Sequence, residues 1–195
     1  ITDIHLANER NDVEDFSNPY VDRLKEVVTA NNAKGIPTYT LNLGDASWDS
    51  FWYENLYPIG EFRKTLNDCH YPTPLFNVTG NHDNDGGAAQ GPDMDFRAAI
   101  PYMKAFGPRY YSFNIGGVHY VVLDNVYYIN KPSPTQKINK DITGARNYEE
   151  RITPEQLEWL EKDLAQLKDK DTPVFIAFHC PMFRHTVGEK PGSKK

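Results

Sequence analysis

Short runs of six or seven residues rich in aliphatic and aromatic side chains punctuate this chain: TYTLNL at 38–43, PLFNVT at 74–79, VHYVVLD at 118–124 and PVFIAF at 173–178. Runs this short suit buried strands better than helices. Segments with helical spacing separate most of them. SNPYVDRLKEVVTANNAKG (17–35) sets Val21, Leu24, Val27 and Val28 at helical intervals. Ser17 or Asn18 caps it, Pro19 takes the first position and Gly35 closes it. A second helix is expected from Phe51 to Asn67, and a third from Met94 to Phe106 with Pro101 interrupting it. TPEQLEWLEKDLAQLK has the clearest start of all: Thr153 caps, Pro154 comes first and Gln156 completes a capping box. Strands divided by helices need crossover connections, which make a largely parallel sheet. One hairpin, YYSFNI joined to VHYVVLD through Gly116-Gly117, adds antiparallel strands. Residues 1–4 read as the end of a strand, 84–93 as a Gly/Asp-rich loop and 127–147 as an irregular excursion. The fold class is therefore α/β, with mixed β-sheets flanked by helices.

The 195 residues are enough for one domain with a substantial core, and no linker divides them. Hydrophobic residues at 39% and aromatics at 13% mark a globular chain rather than a disordered one. The formal net charge of −6 argues against a general nucleic-acid binder, which would carry a basic face. No apolar run approaches the roughly 18–20 residues needed to span a membrane. Cys69 and Cys180 read as two unpaired, buried thiols. Asn77-Val78-Thr79 matches a glycosylation sequon, but inside a buried strand it reads as chance. Both ends look cut, so the chain is expected to be a single domain belonging to something longer, its first strand lacking its start.

Four strand ends carry residues that no turn requires: Asp3-Ile4-His5, Gly44-Asp45, Gly80-Asn81-His82-Asp83 and His179. Ligands of open α/β sheets sit at the carboxyl ends of strands, so the four can converge. Asp3 and His5 are two apart on a strand and should point to one side, where they can hold a metal ion. Asp45 has two carboxylate oxygens and can bridge to a second ion, with Asn81 and His179 completing that position. Mixed nitrogen and oxygen donors suit Mn, Fe, Zn or Ni better than copper or calcium. Two such ions can clamp a phosphate and lower the pKa of a bridging water, leaving His82 free to protonate the leaving oxygen.

These motifs, DIH, GD, GNHD and a later strand-end histidine in that order, resemble the calcineurin-like metallophosphoesterases from residue 3 to residue 179. The resemblance implies a four-layer αββα sandwich, present here in part, and two divalent metal ions. By position, Asp3, His5 and Asp45 would hold the first metal, and Asp45, Asn81 and His179 the second. His82 would be the catalytic histidine, and Asp83 its neighbour, holding either the turn or the imidazole. The implied activity is hydrolysis of phosphate mono- or diesters on a small phosphorylated substrate. A non-catalytic relative that uses the fold for binding is the alternative. The family also carries a later Gly-His-x-His turn that supplies one further ligand to each metal. Only His185 follows His179 here, so five of seven ligand residues are present and the 195 residues alone are expected to bind metal weakly and turn over poorly. Protein Ser/Thr phosphatases of the family carry a second Asp, and purple acid phosphatases a Tyr, where this chain has Trp48. Both subfamilies are disfavoured on that ground. The segment FGPRYYSFNIGGVHYVVLD resembles secreted or periplasmic members, which favours that localisation over the cytoplasm.

Other candidates have plainer readings. Trp48, Asp49, Phe51, Trp52 and Tyr53 form core packing or a wall for a flat leaving group. Arg184 is a candidate phosphate contact, with His185 beside it. His119 reads as a packed mid-strand histidine and His70 as a solvated loop residue.

Overall fold

The computed structural model describes residues 1–6, 17–47, 59–86, 91–129 and 147–182. Helix α1 (Ser17–Ala33) leads through Gly35 at φ 73° into strand β1 (Thr40–Asn42). Helix α2 (Ile59–Asp68) precedes β2 (Leu75–Asn77), and helix α3 (Met94–Phe106) precedes β3 (Tyr111–Ile115) and β4 (Val118–Val122). Strands β5 (Val126–Ile129) and β6 (Asn147–Glu150), helix α4 (Pro154–Ala165) and strand β7 (Val174–Ala177) complete the order.

The strands form three sheets among the described residues. β1 and β2 pair in parallel, Leu41 opposite Phe76 and Asn42 opposite Asn77. β3 and β4 form the expected hairpin, closing at Ile115 opposite Val118 over Gly116 and Gly117 at φ 62° and 80°. Two successive positive φ values are the signature of the two-residue turn whose twist matches the strands. β7 runs parallel to β4 on its other side, with Tyr120 opposite Phe175. β5 and β6 form a separate antiparallel pair.

The layers follow from which side chains meet. Val21 of α1, Ile59, Phe62 and Leu66 of α2 and Tyr102 of α3 pack with Leu6 and Ala46 on one side of the β1–β2 sheet. The opposite side meets the second sheet through Val78, Val122 and Ala177, backed by Leu41, Leu43, Tyr111 and Phe113. Phe76 stacks on Phe113 at 3.7 Å across that seam, and Phe113 stacks in turn on its cross-strand partner Tyr120 at 5.0 Å. Alternation along β3 and β4 turns Ser112 and His119 to the far face. There both bond Asp163 of α4, at 2.7 Å each. The order is helix, sheet, sheet, helix: a metallophosphoesterase-type α/β sandwich, as the resemblance implies.

Several details differ from the sequence reading. Val27 is exposed although Val21 and Val28 are buried, because the covered face of α1 runs through residues 21, 24, 25 and 28 and Val27 lies beside it. α3 runs unbroken through Pro101. Both ends of the 127–147 excursion are strands; residues 130–146 lie outside the described residues, as do 51–58 at the expected start of α2. Thr153 accepts from the Gln156 N–H, but the Gln156 side chain does not return to the cap; it reaches the end of β4 instead. The plainer expectations agree with a buried His119, an exposed His70, a buried Asn77, and a half-buried Cys69 and buried Cys180 that no disulfide joins. No helix among the described residues is long and apolar enough to cross a membrane.

Candidate metal centre

Residues 1–6 lie beside the end of β1 and its continuation. Leu43 N–H donates to the Ile1 carbonyl, Asp3 N–H to Gly44, His5 N–H to Asp45 and Leu6 N–H to Ala46. This is a parallel association, yet not a regular strand: Asp3 and His5 have φ of 51° and 44°. The two side chains therefore meet by local left-handed turns and not by strand alternation. Asp45 is also left-handed, at φ 53°. Three candidate ligands in a region that non-glycine residues seldom occupy mark a backbone held there by its surroundings.

The turns after β1 and β2 are pressed together. A Cβ on Gly80 would sit 2.1 Å from Asp45 Oδ1 and 2.3 Å from Asp45 N. One on Gly44 would sit 2.5 Å from His179 Nδ1. Only glycine fits at either position. Asp83, fully enclosed behind them, ties the turns into one unit. Its Oδ2 accepts from Asp45 N–H and Gly80 N–H at 2.9 Å each, and its Oδ1 from Ser47 N–H and the Ser47 hydroxyl at 3.0 Å each. That is the turn-holding role of the two open to it. Burial lifts the Asp83 carboxyl to about 6, with the charge of Asp45 adding to the effect.

Asp45 occupies the centre. Its Oδ1 accepts from the His82 N–H at 2.9 Å, which leaves Oδ2 facing both histidines. His179 Nε2 lies 3.2 Å from Oδ2 and His5 Nε2 lies 3.8 Å from it. His5 Nε2 is also 3.8 Å from Asp3 Oδ1, and His179 Nε2 is 3.2 Å from Asn81 Oδ1. All six candidate ligand and site residues, Asp3, His5, Asp45, Asn81, His82 and His179, are thus within one small volume. The His82 ring stands edge-on to His5 with centroids 4.8 Å apart. Two sets of donor atoms, His5–Asp45–His82 and Asp3–Asp45–His179, each lie within 4.8 Å of one another, so His82 is also within ligand reach.

Electrostatics match a site built for cations. Burial works against ionising Asp45, but the hydrogen bond and charge of His179, helped by His82, outweigh it and hold the carboxyl below its ordinary value. Burial would likewise lower His179, but Asp45 reverses this and lifts the imidazole to about 9. Burial pushes His5 down, and the nearby His82 adds to that. His179 Nδ1 donates to the Leu43 carbonyl at 2.9 Å, which directs Nε2 at Asp45 and Asn81. Fixing one ring nitrogen on a carbonyl is how metal-binding histidines are commonly oriented. Imidazole nitrogens, carboxylate oxygens and an amide oxygen make a donor set that fits a divalent transition metal.

Other residues around the site gave no sequence signal. Ser47 holds Asp83 and also donates to the His82 carbonyl at 3.1 Å. Tyr128 donates to the Asn81 carbonyl at 3.2 Å, and Asn125 bonds both sides of the Cys180 peptide. Their spacing matches no motif, and only the folded chain brings them to the site. Trp48, Asp49, Phe51, Trp52, Tyr53, Arg184 and His185 lie outside the described residues.

The sequence matches the profile of the calcineurin-like phosphoesterases over residues 1–194. Purple acid phosphatase 15 of Arabidopsis thaliana is 28% identical over 144 residues, which cover 70% of this chain and 20% of that protein. The serine/threonine-protein phosphatase CPPED1 of Pongo abelii is 26% identical over 130 residues, 66% of this chain and 35% of its own length. Its Homo sapiens counterpart is 25% identical over the same share. The chain thus spans between a fifth and about a third of these relatives. They include both groups whose marker residue is replaced by Trp48 here.

Proposed function

Since this chain belongs to the calcineurin-like phosphoesterase family, we propose that it is the site-bearing part of a dinuclear, metal-dependent hydrolase of phosphate mono- or diesters. The observation that carries the reading is Asp45 Oδ2, which faces His179 on one side and His5 on the other. Asp3, His5 and Asp45 would hold one divalent ion, and Asp45, Asn81 and His179 the other. Bound there, Mn, Fe, Zn or Ni would supply Lewis acidity toward a phosphoryl oxygen and a nucleophilic water at neutral pH.

The chain's own residues do the rest. Asp45 balances positive charge from the centre of the site. Asn81 offers a neutral oxygen, so one position carries less negative charge than the other. His82 has its N–H fixed on Asp45 and its carbonyl on Ser47, which holds its backbone at the site, and its ring would donate a proton to the departing oxygen. Asp83 keeps the two turns in contact. Two further histidine ligands, in the pattern's Gly-His-x-His turn, have no counterpart in these 195 residues. We place the protein outside the cytoplasm, in the periplasm or secreted.

The test is hydrolysis of bis-p-nitrophenyl phosphate and of the monoester by the Mn-loaded parent protein, with metal content measured alongside. Turnover of one ester, with two ions bound, is expected. His82→Ala should retain the metal and lower kcat by about a hundredfold to ten-thousandfold. Loss of metal in that variant would make His82 a ligand instead, and no hydrolysis of either ester by the parent would sink the enzyme reading.

A further inference from the structure

The corner between β4 and β5 is fixed from several directions before it approaches the site. Asp124 N–H donates to Gln156 Oε1 at 2.9 Å, and Gln156 Nε2 donates to the Asp124 carbonyl at 2.8 Å, which anchors the corner to α4. Arg109 lies 3.1 Å from Asp124 and 2.8 Å from Asp95, and Asp95 accepts from the Tyr128 N–H at 3.0 Å, which anchors it to α3. Arg151 N–H donates to the Asn125 carbonyl at 3.1 Å. Asn125, Gln156 and Tyr128 are all buried.

From this fixed corner two side chains reach outward. The Asn125 amide copies a strand partner: Nδ2 donates to the Cys180 carbonyl at 2.6 Å and Oδ1 accepts from the Cys180 N–H at 3.0 Å. Cys180 directly follows His179, just after β7 ends. The Tyr128 hydroxyl donates to the Asn81 carbonyl. His179 and Asn81 are the two ligands that, with Asp45, would define the second metal position. Asp3 and His5 have different support, namely the peptide bonds of Gly44 and Asp45. Among the described hydrogen bonds, the corner touches the backbone of one ligand set and not of the other.

We propose that Asn125 and Tyr128 are positioning residues for the second metal position. Asn125 sets where His179 stands by holding the next peptide, and Tyr128 sets where Asn81 stands by holding its carbonyl. Together they fix the span between the two ligands from a single rigid corner. The inference rests on the dinuclear reading above. Losing Asn125 removes the hydrogen bonds it makes to the buried Cys180 N–H and carbonyl, so the segment carrying His179 loses the contact that sets its place. The first position, supported from the other side, keeps its geometry.

Mn2+ titration of the parent protein, followed by electron paramagnetic resonance, tests this. The wild type should show a spin-coupled pair. Asn125→Ala should weaken the second ion by about tenfold to a hundredfold, giving the signal of a lone Mn2+ while the first ion's affinity holds within about twofold. Tyr128→Phe keeps the ring packed against Ala98, Val126 and Cys180 and removes only the hydroxyl. It should give the same selective loss at about tenfold or less, and it decides the matter if Asn125→Ala does not fold. Equal weakening of both ions, or of neither, overturns the positioning role while leaving the phosphoesterase reading intact. A wild type that binds fewer than two ions overturns the dinuclear reading itself, and this inference with it.

Discussion

Gly80 and Asp45 approach so closely that a methyl group at residue 80 has no room against the Asp45 amide and carboxylate. Gly80→Ala should therefore cost about 1–3 kcal/mol of stability, read from urea unfolding, and should also weaken metal binding, because the displaced group is the central carboxylate. The same substitution at Gly60, where nothing lies within 4 Å, is the control. The clustering of Asp3, His5, Asp45, Asn81, His82 and His179 could be read from the sequence because these residues depart from what a strand end needs. Their local geometry could not. Strand alternation placed Asp3 and His5 on one side, whereas the chain brings them together through left-handed backbone at both. Residue type records the chemistry required, while φ is set by neighbours distant in sequence. Ser47 and Asn125 were silent for a related reason: a serine two residues beyond an aspartate, or an asparagine after a strand, is ordinary turn chemistry until its partner is known.

Helices and strands were legible where a single local rule decided them. α4 begins where Thr153 and Pro154 say it should, and the Gly116-Gly117 hairpin closes in the expected register. β5 and β6 were missed because four-residue strands flanking a long insertion carry too little periodicity to stand out. Gln156 shows how tertiary contact displaces a local rule. Its sequence position fits a capping box, but the buried peptide of Asp124 claims the side chain. Gln156→Ala should thus cost about 2 kcal/mol or more, the penalty for leaving a buried N–H and carbonyl unpaired. A lost cap interaction alone would cost about 1 kcal/mol. Chemical unfolding distinguishes the two, with Leu157→Ala on the exposed side of α4 as a reference for helix propensity alone.

Across the whole molecule, the layered order was implied by the alternation of strands and helices, but the division into three sheets was not. Which strands pair depends on contacts between segments far apart in the chain. The folded protein also holds protons that its unfolded chain would release. Asp83 is lifted to about 6 and Asp124 to about 7, burial leading in both, while Asp45 lifts His179 to about 9. A raised folded-state pKa gives stability that is complete below the unfolded value and lost as pH rises through the folded one. The two carboxyls act from about pH 4 to 7 and His179 from about pH 6.5 to 9. Lowered Asp45 and His5 work in the opposite sense. The metal-free chain should lose thermal stability from pH 5 to pH 9, and added Mn2+ should raise Tm most at the alkaline end, where it takes the place of the His179 proton. A flat Tm across that range would contradict the assignment. The two side chains that bracket the β4–β5 corner, Asn125 and Gln156, are amides and carry no charge at any pH in this range. Acid that empties the site by protonating its ligands thus leaves these two amide contacts in place, although it also protonates Asp124 and Asp83. The site should therefore be strippable and refillable, with the two amides as the part of its support that does not change with pH.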